Sequence, residues 1–302
     1  MNGAQALITT LVDNAHPIDT HDAEAAPSES PPVSYRGRGA VDRWLVADLA
    51  YCRCVIPYMF SPYNPCMAAG KVPIKAKKRV VLIGDGESAE IAFEYFTADS
   101  PWEVVGFAVE RTFRQRQDLF GLPVIDLEHL PEIFPPTEFA AHVALSSTRL
   151  NRVRRRLYLY VKSMGYELPS YVSTRAFVWR NVKIGENSFI FENNVLQYFV
   201  EIGNNVVLWS GNHVGHRTTI RDHCFITSHC VISGFCDIGE SSFLGVNSTF
   251  GDRVSVPNDT VVGAGSVVHK ALAGVGQAWV GNPVRPLGKS AYDVFEVPED
   301  ER

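Results

Sequence analysis

The chain has 302 residues, 46% of them hydrophobic and 20% charged, with a formal net charge of −5. That is room for two ordinary domains. An acidic balance with no Lys/Arg stripe excludes the electrostatic footprint of a nucleic-acid binder, and no run of 18 apolar residues offers a membrane span. The start carries no basic segment followed by an apolar run, so nothing argues for secretion. The six cysteines lie too far apart for a disulfide scaffold. The expectation is a cytoplasmic protein.

Residues 1–40 read as a disordered extension, since 14–38 are rich in Ala, Pro, Ser, His and acids. Residues 41–78 are more apolar, but Asp42, Arg43, Asp48 and Arg53 interrupt them. They read as a helical or irregular segment packed on the body or on a partner. Cys52, Cys54 and Cys66 lack a fourth ligand at finger spacing and read as buried thiols.

Residues 79–170 alternate strand and helix. An apolar run at 79–83 ends in Gly84-Asp85-Gly86-Glu87, and a helix follows over 89–96. Strands are expected at 104–109 and 142–145, with an extended piece at 122–125 between them. A second helix spans 151–164 and stops at Gly165. The alternation predicts a small Rossmann-like parallel α/β domain. The Gly84–Gly86 turn can face its N–H groups to phosphate. Gly84-x-Gly86-x-x-Ala89 also fits a dinucleotide fingerprint, in which Glu110 would hold a ribose hydroxyl. About 90 residues is short for a full dinucleotide domain.

From Val172 every sixth residue through Val268 is apolar, 17 in succession without a slip. With roughly half of residues apolar, chance gives such a run about once in 10⁵. Small residues recur four places after each apolar one, and Gly recurs one place after it, as at Gly185, Gly203, Gly215 and Gly245. Strand alternation sends the apolar and the small positions inward. The Gly position falls in the turn, where freedom in φ is useful. The pattern predicts a hexapeptide-repeat parallel β-helix over 171–270, followed by a C-terminal loop and tail at 271–302. The resemblance to hexapeptide proteins implies left-handed winding with three hexads per coil. It also implies homotrimers with acyl-CoA in grooves between subunits. In this register Cys224, Cys230 and Cys236 are inward structural thiols. Asn194 and Asn212, 18 residues apart, should stack as an inward amide ladder.

His213, His216, His223 and His229 fall within 17 residues, at spacings of 3, 7 and 6. Hexapeptide-fold carbonic anhydrases use a His pair five apart plus a third some coils away, so no metal is expected. Acyl transfer from a thioester needs a base for the nucleophile's proton and a donor for the oxyanion. His216 sits in a turn, and Gly234 stands one coil above it at about the 4.8 Å strand spacing. A glycine there would leave its N–H unobstructed for the oxyanion. His213, two residues before Gly215, could share the work.

The Gly84-Asp85-Gly86 turn, the stretch from His216 through Phe243-Leu244-Gly245-Val246-Asn247, and the closing Val280-Gly281-Asn282-Pro283 resemble the NeuD/PglD group of bacterial sugar acyltransferases. The resemblance runs from about 79 to 288. It implies a base at His216, a thioester-oxygen donor at Gly234, and acetyl-CoA contacts at Phe225, Val246 and Ala264. Phe225 stands where the family often has His. Arg285 and Lys289 would meet CoA phosphates or serve as ordinary surface charge. The α/β domain would cradle a nucleotide-linked amino sugar at Gly84, Asp85, Gly86 and Glu87. Members often follow the base with an acid; here Arg217 reverses the charge. Asp222 or a neighbouring subunit would supply the carboxylate, or the base is weaker. The expected activity is N-acetylation of a nucleotide-linked amino-deoxysugar. O-acetylation of a sialic-acid-type sugar and a catalytically silent scaffold are the alternatives.

Overall fold

The computed structural model describes residues 78–302. The expectations of disorder over 1–40 and of a helical or irregular segment ahead of residue 78, and those for Cys52, Cys54 and Cys66, fall outside the described residues.

A five-stranded sheet opens the described chain, in the order β3-β4-β2-β1-β5. Strands β1 (Lys78–Ile83), β2 (Trp102–Val109), β4 (Leu122–Asp126) and β5 (Ala140–Val143) are parallel, and β3 (Asp118–Leu119) is antiparallel to β4. Val80, Val81, Leu82 and Ile83 are buried on both faces, as the continuous apolar run requires. Helix α1 (Glu87–Ala98) packs on one side of the sheet, and α3 (Arg152–Ser163) packs on the other; a one-turn α2 (Leu130–Ile133) precedes β5. The last strand lies two residues earlier than the sequence suggests. Ala140 and Ala141 pair with Val80 and Val81, where small side chains fit beneath the helices.

The prism follows. Each of the 17 apolar hexad positions is the second residue of a two-residue strand, from β6 (Tyr171–Val172) to β22 (Val267–Val268). Strands 18 residues apart pair in register, as Val195 with His213 and His213 with Val231, and form three parallel sheets. The coils wind as a left-handed β-helix around a core of Leu196, Ile202, Leu208, Val214, Ile220, Ile226, Ile232 and their successors. Cys224, Cys230 and Cys236 are buried there, each Sγ–H donating to a backbone carbonyl one coil on (Gly239, Gly245 and Gly251, 3.1–3.2 Å). Burial raises all three thiols, Cys224 to about 12, so they are structural. Asn194 and Asn212 are fully buried and stacked, but they do not bond to each other. Their amides donate to the carbonyls of Phe191 and Trp209 and, at Asn212, accept from Cys230 N–H. A true side-chain ladder lies on an outer edge, where Asn187 donates to Asn205 (2.9 Å) and Asn205 bonds His223 Nδ1 (3.0 Å).

The role expected of the repeat glycines is corrected. Positive φ falls three places after the apolar residue, at Asn187, Asn205, Arg217, His223, His229, Phe235 and Asn247, and not at the Gly one place after it. Those glycines serve clearance. A Cβ on Gly185 would lie 2.6 Å from the carbonyl carbon of Gly203, and one on Gly215 would lie 2.5 Å from that of Ser233. Gly185→Ala should therefore cost about 2–3 kcal/mol in urea unfolding. Gly265→Ala, at φ +67° with open space around it, should cost only about 1 kcal/mol. Equal losses would contradict the clearance argument.

The outward strand positions show which faces are covered. On the first face they are Tyr171, Phe189, Val207, Phe225, Phe243 and Val261. The α/β domain and the C-terminal segment bury this face. Asp99, at the end of α1, fastens the first coil by accepting from Thr174 N–H and the hydroxyls of Tyr171, Ser173 and Thr174; the Thr174 bond leads in holding its carboxyl at about 2. The third face carries Lys183, Glu201, Thr219, Asp237 and Ser255 and is polar. The second carries Phe177, Val195, His213, Val231, Thr249 and Val267. Phe177 is 53% exposed and Val231 43%. Residues 271–302, expected as loop and tail, instead extend the first face. Strand β23 (Gln277–Val280) joins β21 (Val261–Val262), and β24 (Arg285–Ser290) folds back on β23 ahead of a short helix α4 (Ala291–Val294).

Candidate active site

His216 stands on the edge between the second and third faces, two residues after Val214. The 18-residue step stacks Tyr198 below it, with ring centroids 5.2 Å apart and planes at 19°. Phe235 closes the other side edge-on at 5.0 Å. The ring lies against Gly234. A Cβ there would fall 2.6 Å from His216 Cε1 and 2.9 Å from Nε2, so only glycine admits this placement. The His216 N–H donates to Gln197 Oε1 (3.0 Å), which fixes the turn. An imidazole held between two aromatic rings, half-buried and facing outward, is oriented for proton transfer with little freedom to lose.

Gly234 is where the sequence placed it, but its N–H is not open. It donates to Asp252 Oδ1 at 2.9 Å, one further coil up. Asp222 does not serve His216 either. It lies on a different edge, accepting from Asn204 N–H (2.8 Å) and Asn204 Nδ2 (3.2 Å). Arg217 turns its guanidinium over the Phe199 ring at 4.6 Å, away from the imidazole. His213 points outward from β13 (His213–Val214) and makes no hydrogen bond or ring contact with His216 among the described residues.

Val246 and Ala264 stack on adjacent coils, on the edge between the first and second faces, where Gly265 N–H donates to Val246 O (2.8 Å). His229, over Gly211, shares that edge. Within one chain this edge is not the edge of His216. Phe225 departs from its expected role as an acetyl-CoA contact. It is 4% exposed, lies beneath the C-terminal segment beside Phe243 and Val261, and carries Arg154 5.4 Å above its ring. Arg285 and Lys289 are exposed on β24.

In the α/β domain, Gly84 (φ +124°) ends β1 with its N–H on Ala108 O, and a Cβ there would meet Ala144 O at 3.0 Å. Gly86 caps α1 without a side-chain bond, and open space surrounds it. Asp85 Oδ2 is buried without a partner, and Glu87 is exposed in the first helical turn. The strand order reverses between β1 and β5, so their carboxyl ends lie at a topological switch point. A small cleft of about 40 Å³ lies there, lined by Ser88, Leu145, Phe191 and Trp209 among others. Glu110 does not join this group. Arg156 holds its carboxylate in a bidentate pair at 2.8 and 2.9 Å, so a ribose hydroxyl would have to compete with that guanidinium. Among the described residues no three His, Cys, Asp or Glu side chains gather as a metal site, and no helix is long and apolar enough to cross a membrane.

A bacterial transferase hexapeptide family model (six repeats) matches residues 181–216 and 199–234. The acetyltransferase domain of PglB from Neisseria gonorrhoeae is 25% identical and superposes with a TM-score of 0.63, over 70% of this chain and all of that one. PerB from Caulobacter crescentus, solved with CoA and GDP-perosamine, is 26% identical with a TM-score of 0.61, over 69% of this chain and 97% of that one. The chain resembles the NeuD/PglD-type sugar acyltransferases in fold and repeat pattern. A histidine-to-asparagine variant of the Caulobacter perosamine N-acetyltransferase, also solved with CoA and GDP-perosamine, is 25% identical with a TM-score of 0.62, over 70% of this chain and 97% of that one. WeeI from Acinetobacter baumannii, at 21% identity and a TM-score of 0.54, shares the fold.

Sequence reasoning missed Tyr198, Phe235, Gln197 and Asp252. The signal was present for three of them. Tyr198 and Asp252 are 18 residues from His216 and Gly234, and Phe235 follows Gly234 directly.

Proposed function

We propose that this chain transfers an acetyl group from acetyl-CoA to the amine of a nucleotide-linked amino sugar, with His216 as general base. The supporting observation is the His216 imidazole, clamped between Tyr198 and Phe235 against Gly234, on an edge that the described residues leave uncovered. His216 takes the proton as the neutral amine nitrogen attacks the thioester carbon. The tetrahedral oxyanion collapses, the C–S bond breaks, and the imidazolium returns the proton to the CoA thiolate.

The donor groove is assigned to Val246 and Ala264, with Arg285 as a phosphate partner. Because these lie off the His216 edge, the site is completed by a neighbouring copy. The second face supports a homotrimer: Phe177 and Val231 are exposed apolar side chains that no described residue covers. The Gly84–Gly86 turn and the free N–H groups at the start of α1 are assigned to the acceptor's phosphates. Asp85 Oδ2 is available for a hydroxyl or amine. PerB and its variant were solved with GDP-perosamine, a nucleotide amino sugar, and the same chemical class is assigned here.

The test is thiol release from acetyl-CoA against a panel of UDP-, dTDP- and GDP-linked amino sugars, with the product analysed by mass and NMR. An N-acetylated sugar from at least one acceptor is expected. Release only with hydroxyl acceptors would replace the amine by an O-acetylation target, and no release with any acceptor would remove the enzymatic reading.

A further inference from the structure

Prism edges have a recurring cap. On the edge between the third and first faces, Asn204 accepts from Glu186 N–H (3.0 Å), Asp222 from Asn204 N–H (2.8 Å), and Asn258 from Glu240 N–H (2.9 Å). Each is a side-chain oxygen one coil up, closing a turn N–H that no carbonyl reaches. On the His216 edge the same device appears at Gly234, and there the acceptor is the carboxylate of Asp252. That N–H adjoins the His216 ring, so the group the acyl oxygen needs is already bonded to an anion.

Resting on the acyl-transfer reading above, we propose that Asp252 is a plug in the acyl-oxygen site, which the donor's carbonyl must displace before His216 can act. One N–H cannot serve a carboxylate and a developing oxyanion at full strength, and two negative charges at one donor repel. Asp252 is exposed, so it can swing into solvent at little steric cost. Its neighbour Arg253 is drawn over the Phe235 ring at 4.5 Å, and no cation pairs with Asp252 among the described residues. Asp252 is thus a positioning residue: it sets when the Gly234 N–H is available.

The consequence is specific to a ligand with an acyl carbonyl. CoA has none at that position and acetyl-CoA has one. In Asp252→Ala, binding of acetyl-CoA by calorimetry should tighten roughly tenfold while binding of CoA stays unchanged. Asp252→Asn keeps an acceptor without the charge and should show a smaller gain of the same kind. The specificity constant for acetyl-CoA should rise by a similar factor in each. If acetyl-CoA and CoA affinities move together, or neither moves, in a variant that melts like the wild type, Asp252 is only a turn cap and the proposal is overturned. A wild-type chain that binds neither ligand overturns the acyl-transfer reading and this proposal with it.

Discussion

His216→Ala is expected to lower kcat by about 10²–10⁴-fold, with KM for acetyl-CoA little changed and thermal stability close to wild type. The imidazole offers a ring nitrogen as proton acceptor beside Gly234, a role that its neighbours Tyr198 and Arg217 do not fill. Its ring is held by stacking and makes no hydrogen bond among the described residues. Removing it deletes chemistry and leaves the coil. Gly234→Ala provides the control, because its Cβ would collide with His216 Cε1 and move the ring without removing it. Its loss of kcat should be smaller. An active His216→Ala variant would transfer the base role to His213 or to a group outside this chain.

Acid should weaken the described fold sharply between pH 6.5 and 4. His142 and His223 are buried where the α/β domain meets the prism. His142 Nδ1 donates to Pro169 O at 2.9 Å, and His223 packs under Tyr158. Burial is the largest cause pushing both imidazoles down to about 4, aided at His223 by the Arg155 and Arg154 charges. In the unfolded chain they titrate near 6.5. Their contribution is complete above that value. It is lost as pH falls toward 4, because the unfolded state then binds protons that the folded state refuses. The loss at pH 5 is about 2 kcal/mol for each His relative to pH 7.5. Urea unfolding at the two pH values measures it. His223→Asn should leave about half the slope, and an unchanged slope would mean that His223 is protonated in the fold.

The hexad frame was readable because side chains inside a triangular coil have no choice of direction. One apolar residue per six fixes the register for 17 strands, and the register fixes which residues stack. The place of Gly234 over His216 follows from that arithmetic alone. What lay beyond it depends on tertiary contact. Phe225 looked like a groove residue, yet the apolar outward set running from Tyr171 to Val261 already marked the first face as covered. Glu110 pairs with Arg156, 46 residues on, a pairing that no local pattern encodes. The Gly234 N–H was expected to be free because a missing side chain was equated with an open amide. Asp252 reaches it from the next coil. The repeat glycines misled in the same way: Gly185 and Gly215 answer to the backbone above them, while Asn187, Arg217 and His223 take the positive φ.

In the proposed function the imidazole of one copy works on a donor held at the Val246–Ala264 edge of another. Mixing two inactive variants tests it most directly. His216→Ala lacks the base, and Ala264→Trp blocks the donor edge. If the site is shared in a trimer, equal mixing and reassembly should restore about a quarter of wild-type thiol release, because one pairing in four joins an intact base to an intact edge. A mixture as inactive as its components would place both parts in a single chain and contradict the claim.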